Sequence, residues 1–356
     1  MLKLQERHSI PEGLLELEKV SDLHKILSQP TLLHLKGEKQ QPLFVSVLLH
    51  ANEDTGFFAI QALLKRYQNK ALPRSLMIFF GNIEASKKGL RHLENQPDYN
   101  RVWPGSDYPE CEETRLMQDV VKRVSAQKPF ASIDIHNNTG KNPHYGCVNK
   151  LDPEFLYLSS LFSRIVVFFE TPKGVQTMAL SEFCPAVTLE CGKPHLAHGV
   201  EHATDYVDTV LHLETTQPHA AHQMDIEVYH TVARVTIPEN TSFEFSDREP
   251  EDKNNTNNSD NSTDNNSDII FAPDIDRINF TQLPANTVFG KIRPQSNARL
   301  IAWDDHEQDV SNNYFTIDGE NITLSKSLMP AMLTLDKKIV RQDCLCYLME
   351  NIKAPL

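Results

Sequence analysis

The chain has 356 residues, 40% hydrophobic and 23% charged, which gives it enough apolar content to bury a core in about two domains. Its 35 basic residues against 48 acidic ones leave a net charge of −13, which excludes the basic footprint of a nucleic-acid binder. No apolar run reaches the ~18 residues of a membrane helix, and MLKLQERHSIPEGLLELEKV lacks a signal peptide's apolar core.

The first forty residues read as helical or irregular. From Phe44 onward short apolar runs alternate with amphipathic ones. FVSVLL (44–49) predicts a buried strand, and 55–68 a helix with Phe57, Ile60, Leu63 and Leu64 on one face. Further strands are expected at 75–80, 131–135, 164–169 and 186–189. Helical patterns fall near 109–126, 153–162 and after Leu196. This alternation predicts an α/β fold, a sheet covered by helices on both faces.

After about Gln223 the pattern changes. EVYHTVARVTI (227–237) alternates with period two, and TVFGKI, NYFTIDG and MLTLDKKIV are short segments between turn residues. We therefore expect an α/β domain over 1–222 and a smaller β-rich C-terminal domain over 223–356. Within the latter, 247–268 holds seven Asn, five Asp and five Ser or Thr, and is expected to be a disordered loop. The six cysteines show no CxxC spacing and no disulfide framework, so a reducing, cytoplasmic setting is expected.

Two strand ends carry metal-ligand chemistry. His50 and Glu53 stand three apart where strand 44–49 gives way to a helix, and His136 follows the strand 131–135. In open α/β sheets, ligands bind beyond the carboxyl ends of strands. A His₂Glu set of His50, Glu53 and His136 suits a catalytic zinc with one open position. The bland alternative is a surface turn with a capping Glu and a satisfied polar His. Asp134, two residues before His136, is placed to orient it, or is a buried strand acid. Glu190 ends the apolar strand AVTL and is placed to act as general base and then acid, the alternative being a salt-bridged edge residue. Arg91, Asn100 and Arg101 lie in a Pro- and Gly-bounded loop. An arginine there can read a carboxylate, and a second can polarise a carbonyl, although most loop arginines are simply solvated.

HANE (50–53), DYNR (98–101), DIHNNTG (134–140) and LECG (189–192), in this order, resemble the succinylglutamate desuccinylase/aspartoacylase family, within the zinc-carboxypeptidase-like fold. The resemblance runs from about Phe44 to Pro194. It implies a mixed twisted sheet flanked by helices and one Zn²⁺ per chain on His50, Glu53 and His136. It also implies Glu190 as base and acid, Asn100 and Arg101 gripping a substrate carboxylate, and Arg91 stabilising the oxyanion. The expected partner is a small-molecule N-acyl amino acid or a short peptide, with no nucleic acid and no membrane. The resemblance leaves deacylase and carboxypeptidase-like metallopeptidase both open.

Two other readings compete. His198-Gly-Val-Glu-His202 matches HxxEH, with both histidines on one helical face, but no downstream helical Glu completes a ligand set. A non-catalytic scaffold of the same fold is the other, and the presence of all three ligands and Glu190 gives it no support.

Overall fold

Phe44 and Val45 are both fully buried, yet they enter different cores. Successive strand residues point to opposite faces, so a strand apolar at every position is covered on both sides. The computed structural model describes residues 2–218, 225–247 and 267–353, and its chain divides into two units.

The first unit takes the described residues of Met1–Asn138, His144–Tyr229 and Ile352–Leu356. Its strands are β1 (Gln5–Arg7), β2 (Thr31–Leu35), β3 (Gly37–Val47), β4 (Leu72–Phe80), β5 (Ala131–His136), β6 (Tyr145–Val148), β7 (Ile165–Phe168) and β8 (Ala186–Glu190). They lie in the order β1-β2-β4-β3-β5-β8-β6-β7. β4, β3, β5 and β8 run parallel, while β2 against β4 and β6 against β8 are antiparallel, so the sheet is mixed. The helices are α1 (Thr55–Arg66), α2 (Ile83–Ser86), α3 (Glu112–Ala126), α4 (Pro153–Ser160), α5 (Gln176–Leu180) and α6 (Ala197–His212). Val45 and Val47 share a core with Phe57, Ile60 and Leu63 of α1 and Val207 and Val210 of α6. Phe44 packs on the other face with Met117, Val120 and Val124 of α3. The expected α/β architecture is thus realised.

Three local expectations differ. The first forty residues supply β1, β2 and the start of β3, as well as short 3₁₀ turns. β1 is three residues long and largely exposed, too short and polar to show a period. The strand expected over 44–49 ends at Val47, because Leu48 takes a left-handed backbone (φ 59°) that turns the chain out of the sheet. β6 and α5, of four and five residues, were not anticipated from the sequence.

The second unit takes Thr139–Pro143 and the described residues of His230–Asn351, and it is mostly β. The chain enters it along β9 (Glu227–Thr236), followed by β10 (Phe243–Phe245), β11 (Ile269–Phe271), β12 (Val288–Ile292), β13 (Ile301–Trp303), β14 (Phe315–Asp318) and β15 (Asn321–Leu324). A five-stranded sheet runs β10-β11-β12-β15-β14, and β13 pairs with β9. MLTLDKKIV is not a strand: Asp336 caps a short helix, α7 (Lys337–Gln342), through its carboxylate on the Lys338 and Ile339 amides. Of the Asn/Asp-rich stretch 247–268, residues 248–266 lie outside the described residues. Its last residue, Asp268, accepts hydrogen bonds from Ser242 Oγ and Arg293 Nη2, both at 2.8 Å.

Candidate metal centre

β3, β5 and β8 are adjacent and parallel, so their carboxyl ends open on one edge of the sheet. The register pairs His136 with Glu190 directly, and Ser46 with Asp134. His50 and Glu53 follow β3 in the loop that Leu48 turns toward α1. Residues 86 and 54 positions apart in the chain therefore meet at one strand edge.

His50, Glu53 and His136 are buried, and one ligand atom from each lies within 4.8 Å of the others. Glu53 bridges the two rings, with Oε1 2.8 Å from His50 Nδ1 and Oε2 2.8 Å from His136 Nδ1. Its Oε2 also accepts from the Asn137 amide at 2.9 Å. Each ring's far nitrogen meets a second carboxylate: His50 Nε2 donates to Asp98 Oδ1 at 3.0 Å, and His136 Nε2 to Asp134 Oδ2 at 2.7 Å. Asp134 Oδ1 in turn accepts from Ser46 Oγ at 2.6 Å. With Nε2 of each ring donating outward, Nδ1 is the nitrogen that would be left for a metal beside Glu53. Two imidazole nitrogens and a carboxylate, each ring braced by an outer carboxylate, form a donor set that fits a zinc ion.

The electrostatics agree with a cation-seeking cluster. Burial works to raise the Glu53 carboxyl, but His50 and His136 outweigh it and hold Glu53 well below the carboxylate range. Burial works to lower His136, and Asp134 and Glu53 reverse this and hold it well above the usual histidine value. Glu190 behaves oppositely. Burial, with Glu53 and Asp134 adding to it, pushes its carboxyl up to about 8, against smaller opposing effects of His136 and Asn138. Asn138 Nδ2 donates to Glu190 Oε2 at 3.3 Å.

The arginine loop closes over the same edge. Arg91 lies against Asp98 through Nε (3.0 Å) and Nη2 (2.8 Å), and its Nη1 is 3.9 Å from Glu53 Oε1. Its carbonyl accepts from the Ala51 amide at 3.1 Å, which ties this loop to the His50–Glu53 turn. Asp98 also accepts from the Asn100 amide at 2.7 Å, and Arg91 with His50 holds its carboxyl low against the effect of burial. Asn100 is engaged internally: Nδ2 donates to Asp134 at 3.3 Å and Oδ1 accepts from the Gln176 amide at 2.9 Å. The Arg101 guanidinium is half-buried and touches the Asn100 carbonyl at 2.8 Å. Gly174, at φ 73°, lies so close to this loop that a Cβ there would sit 2.4 Å from the Arg101 carbonyl.

Residues 39–214 match the Succinylglutamate desuccinylase/Aspartoacylase catalytic domain. Over these residues the chain belongs to this family. Its fold is similar to the succinylglutamate desuccinylase of Chromobacterium violaceum (13% identity, 89% of this chain and 86% of that one, TM-score 0.56). It is equally similar to a succinylglutamate desuccinylase/aspartoacylase from Rhodobacter sphaeroides (13%, 90% and 88%, TM-score 0.57). Murine aminoacylase 3 aligns as well (13%, 88% and 96%, TM-score 0.53). No curated protein sequence matches the chain significantly.

Within this family fold, sequence reasoning overlooked Asp98, which binds His50, Arg91 and the Asn100 amide at once. The available signal was an acid placed between two arginines in a segment already singled out. The HxxEH pair does lie on α6, but His198 is exposed and His202 Nε2 donates to the Phe162 carbonyl at 2.8 Å. His198 stacks on His144 and His202 lies tilted against it, and neither joins a ligand trio among the described residues. No described helix is long and apolar enough to cross a membrane.

Proposed function

We propose that the chain is a zinc-dependent amidohydrolase that removes the acyl group from an N-acyl amino acid. The convergence of His50, Glu53 and His136 beside a buried Glu190 is the observation that carries this reading. A zinc ion held by His50, Glu53 and His136 would polarise the substrate carbonyl and make water a better nucleophile.

The protein's own groups account for the rest. Glu190, buried and with a raised proton affinity, takes a proton from the attacking water and passes it to the departing amine. Asn138 orients that carboxylate. Arg91, fixed by Asp98 and close to Glu53, supplies positive charge where the carbonyl oxygen becomes anionic. Arg101 holds the substrate's free carboxylate with two parallel hydrogen bonds. Asn100 braces Asp134 behind His136, since both ends of its amide already have protein partners.

The test compares N-acyl amino acids with their methyl esters and amides on zinc-loaded protein. Hydrolysis of the acids, with esters and amides at least about tenfold poorer in kcat/KM, supports the reading. Equal hydrolysis of charged and neutral analogues overturns the carboxylate requirement, and no hydrolysis of any of them overturns the activity.

A further inference from the structure

Glu53 and Asp54 are consecutive carboxylates with opposite assignments. Glu53 turns inward to His50 and His136, whereas Asp54 turns toward the segment that follows Glu190. There it accepts hydrogen bonds from the His195 amide, at 3.0 Å, and from the His195 ring nitrogen Nδ1.

Two features show that this contact is maintained against local preference. Asp54 stands at the N-cap of α1, where an aspartate ordinarily accepts from the helix's own free amides, yet it makes no such bond. Asn137 takes that role, its Oδ1 accepting from the Thr55 amide at 3.2 Å. His195 has a left-handed backbone (φ 64°), a conformation unfavourable for a residue with a Cβ, while its side chain is 79% exposed. An exposed loop histidine has no packing reason to adopt this strain, and the double hydrogen bond to Asp54 supplies one.

The same two segments are joined from below. Asn137 Nδ2 donates to the Gly192 carbonyl at 2.8 Å, and the Asn138 amide donates to it at 3.0 Å. The turn after Glu190 is therefore held by the residues that follow His136 and by the residue that follows Glu53.

We infer that Asp54 and His195 form a clasp that fixes the Glu53 turn against the loop after Glu190, which makes both of them positioning residues for the metal centre. The inference rests on the proposed zinc site and adds to it a constraint outside the ligand set. Residues that orient metal ligands typically contribute about 10–100-fold to affinity.

The experiment uses the full chain with His195→Gly, His195→Asn and Asp54→Ala, reading zinc affinity by chelator competition, kcat, KM and Tm. Glycine accepts the left-handed backbone and keeps the amide bond to Asp54 but loses the ring Nδ1 bond, so H195G keeps or raises Tm. It should nonetheless bind zinc about tenfold more weakly and lose kcat with KM little changed. Asparagine tolerates the same backbone and offers an amide donor, so H195N should recover most of the zinc affinity. D54A, which removes both bonds, should bind zinc at least as weakly as H195G. If wild-type protein binds zinc and both H195G and D54A bind it equally tightly, the clasp is wrong and the metal reading stands. Equal weakening in H195N and H195G also overturns the clasp, and a wild-type protein that binds no zinc removes the metal reading and the clasp together.

Discussion

Nδ1 of His50 lies 3.1 Å from Nδ1 of His136, while the Nε2 of each ring meets its own carboxylate, Asp98 for the first and Asp134 for the second. With both Nε2 protons directed outward, the two Nδ1 atoms and the Glu53 carboxylate converge on one point. A shared proton or a metal cation makes that arrangement favourable. Wild-type protein should bind one zinc, His136→Ala none, and His198→Ala one, as measured by metal analysis after dialysis. Retention of full zinc by H136A would falsify the ligand assignment.

Because His136 is held protonated well above the usual histidine range, zinc must displace a proton at neutral pH. Affinity should therefore rise with pH, by about tenfold per unit while one proton is released. Calorimetric titrations in buffers of different ionisation enthalpy report that proton directly. An affinity independent of pH between 6 and 8 would mean that the site is already deprotonated.

Glu190 gives a prediction on stability in the metal-free protein. Its carboxyl titrates near 4.5 when unfolded and is pushed up to about 8 in the folded chain. A raised folded value favours the folded state below pH 4.5, and that contribution is lost as pH rises toward 8. Glu190→Gln should thus be more stable than wild type at pH 8, by on the order of a few kcal/mol, with the gap narrowing toward pH 5. Denaturant melts at the two pH values measure it. The same variant, loaded with zinc, should lose about 10²–10⁴-fold in kcat. A pH-independent difference, or near-normal turnover, would assign Glu190 a purely structural role.

Asp98 joins His50, Arg91 and the Asn100 amide. Asp98→Asn keeps the shape but removes the negative charge that orients His50 and pairs with Arg91. We expect zinc affinity to fall about 10–100-fold. The Arg91 guanidinium, left without its partner, should also move, and kcat should drop beyond what zinc saturation restores. Full recovery of kcat at saturating zinc would confine Asp98 to the metal and exclude the Arg91 part.

Arg101 and Asn100 should separate kinetically. Arg101→Lys removes bidentate reading of a carboxylate, so KM should rise strongly while zinc content is unchanged. Asn100→Ala removes one of the donors that hold Asp134 behind His136 and leaves the Gln176 amide without its Oδ1 acceptor, so it should weaken zinc binding and lower kcat more than it raises KM. Identical kinetic signatures for the two variants would return Asn100 to the substrate side.

Much of this site is legible in the chain because its ligands follow strands with strong apolar signals. FVSV, SIDI and AVTL announce β3, β5 and β8, and a His or Glu just beyond such a run stands at a sheet edge. The same physics explains what was not legible. β1 is short and exposed, β6 has four residues, and neither carries a period to detect. MLTLDKKIV carries an alternating start, but Asp336 caps the backbone and makes the second half a helix.

From its own order of residues this protein determines two covered faces of a sheet, a His₂Glu donor set and a carboxylate stranded at Glu190. Those are local properties, set by side-chain period and by the chemistry of residues near one another in the chain. Tertiary structure alone decides that β5 and β8 pair with His136 opposite Glu190, that Asp98 reaches back to His50, and that Asp54 bonds to His195. Strand order and register arise from packing two cores at once, and a shift of one residue would turn every side chain to the other face. No window of sequence contains that information, because the groups that meet are 48 to 141 residues apart.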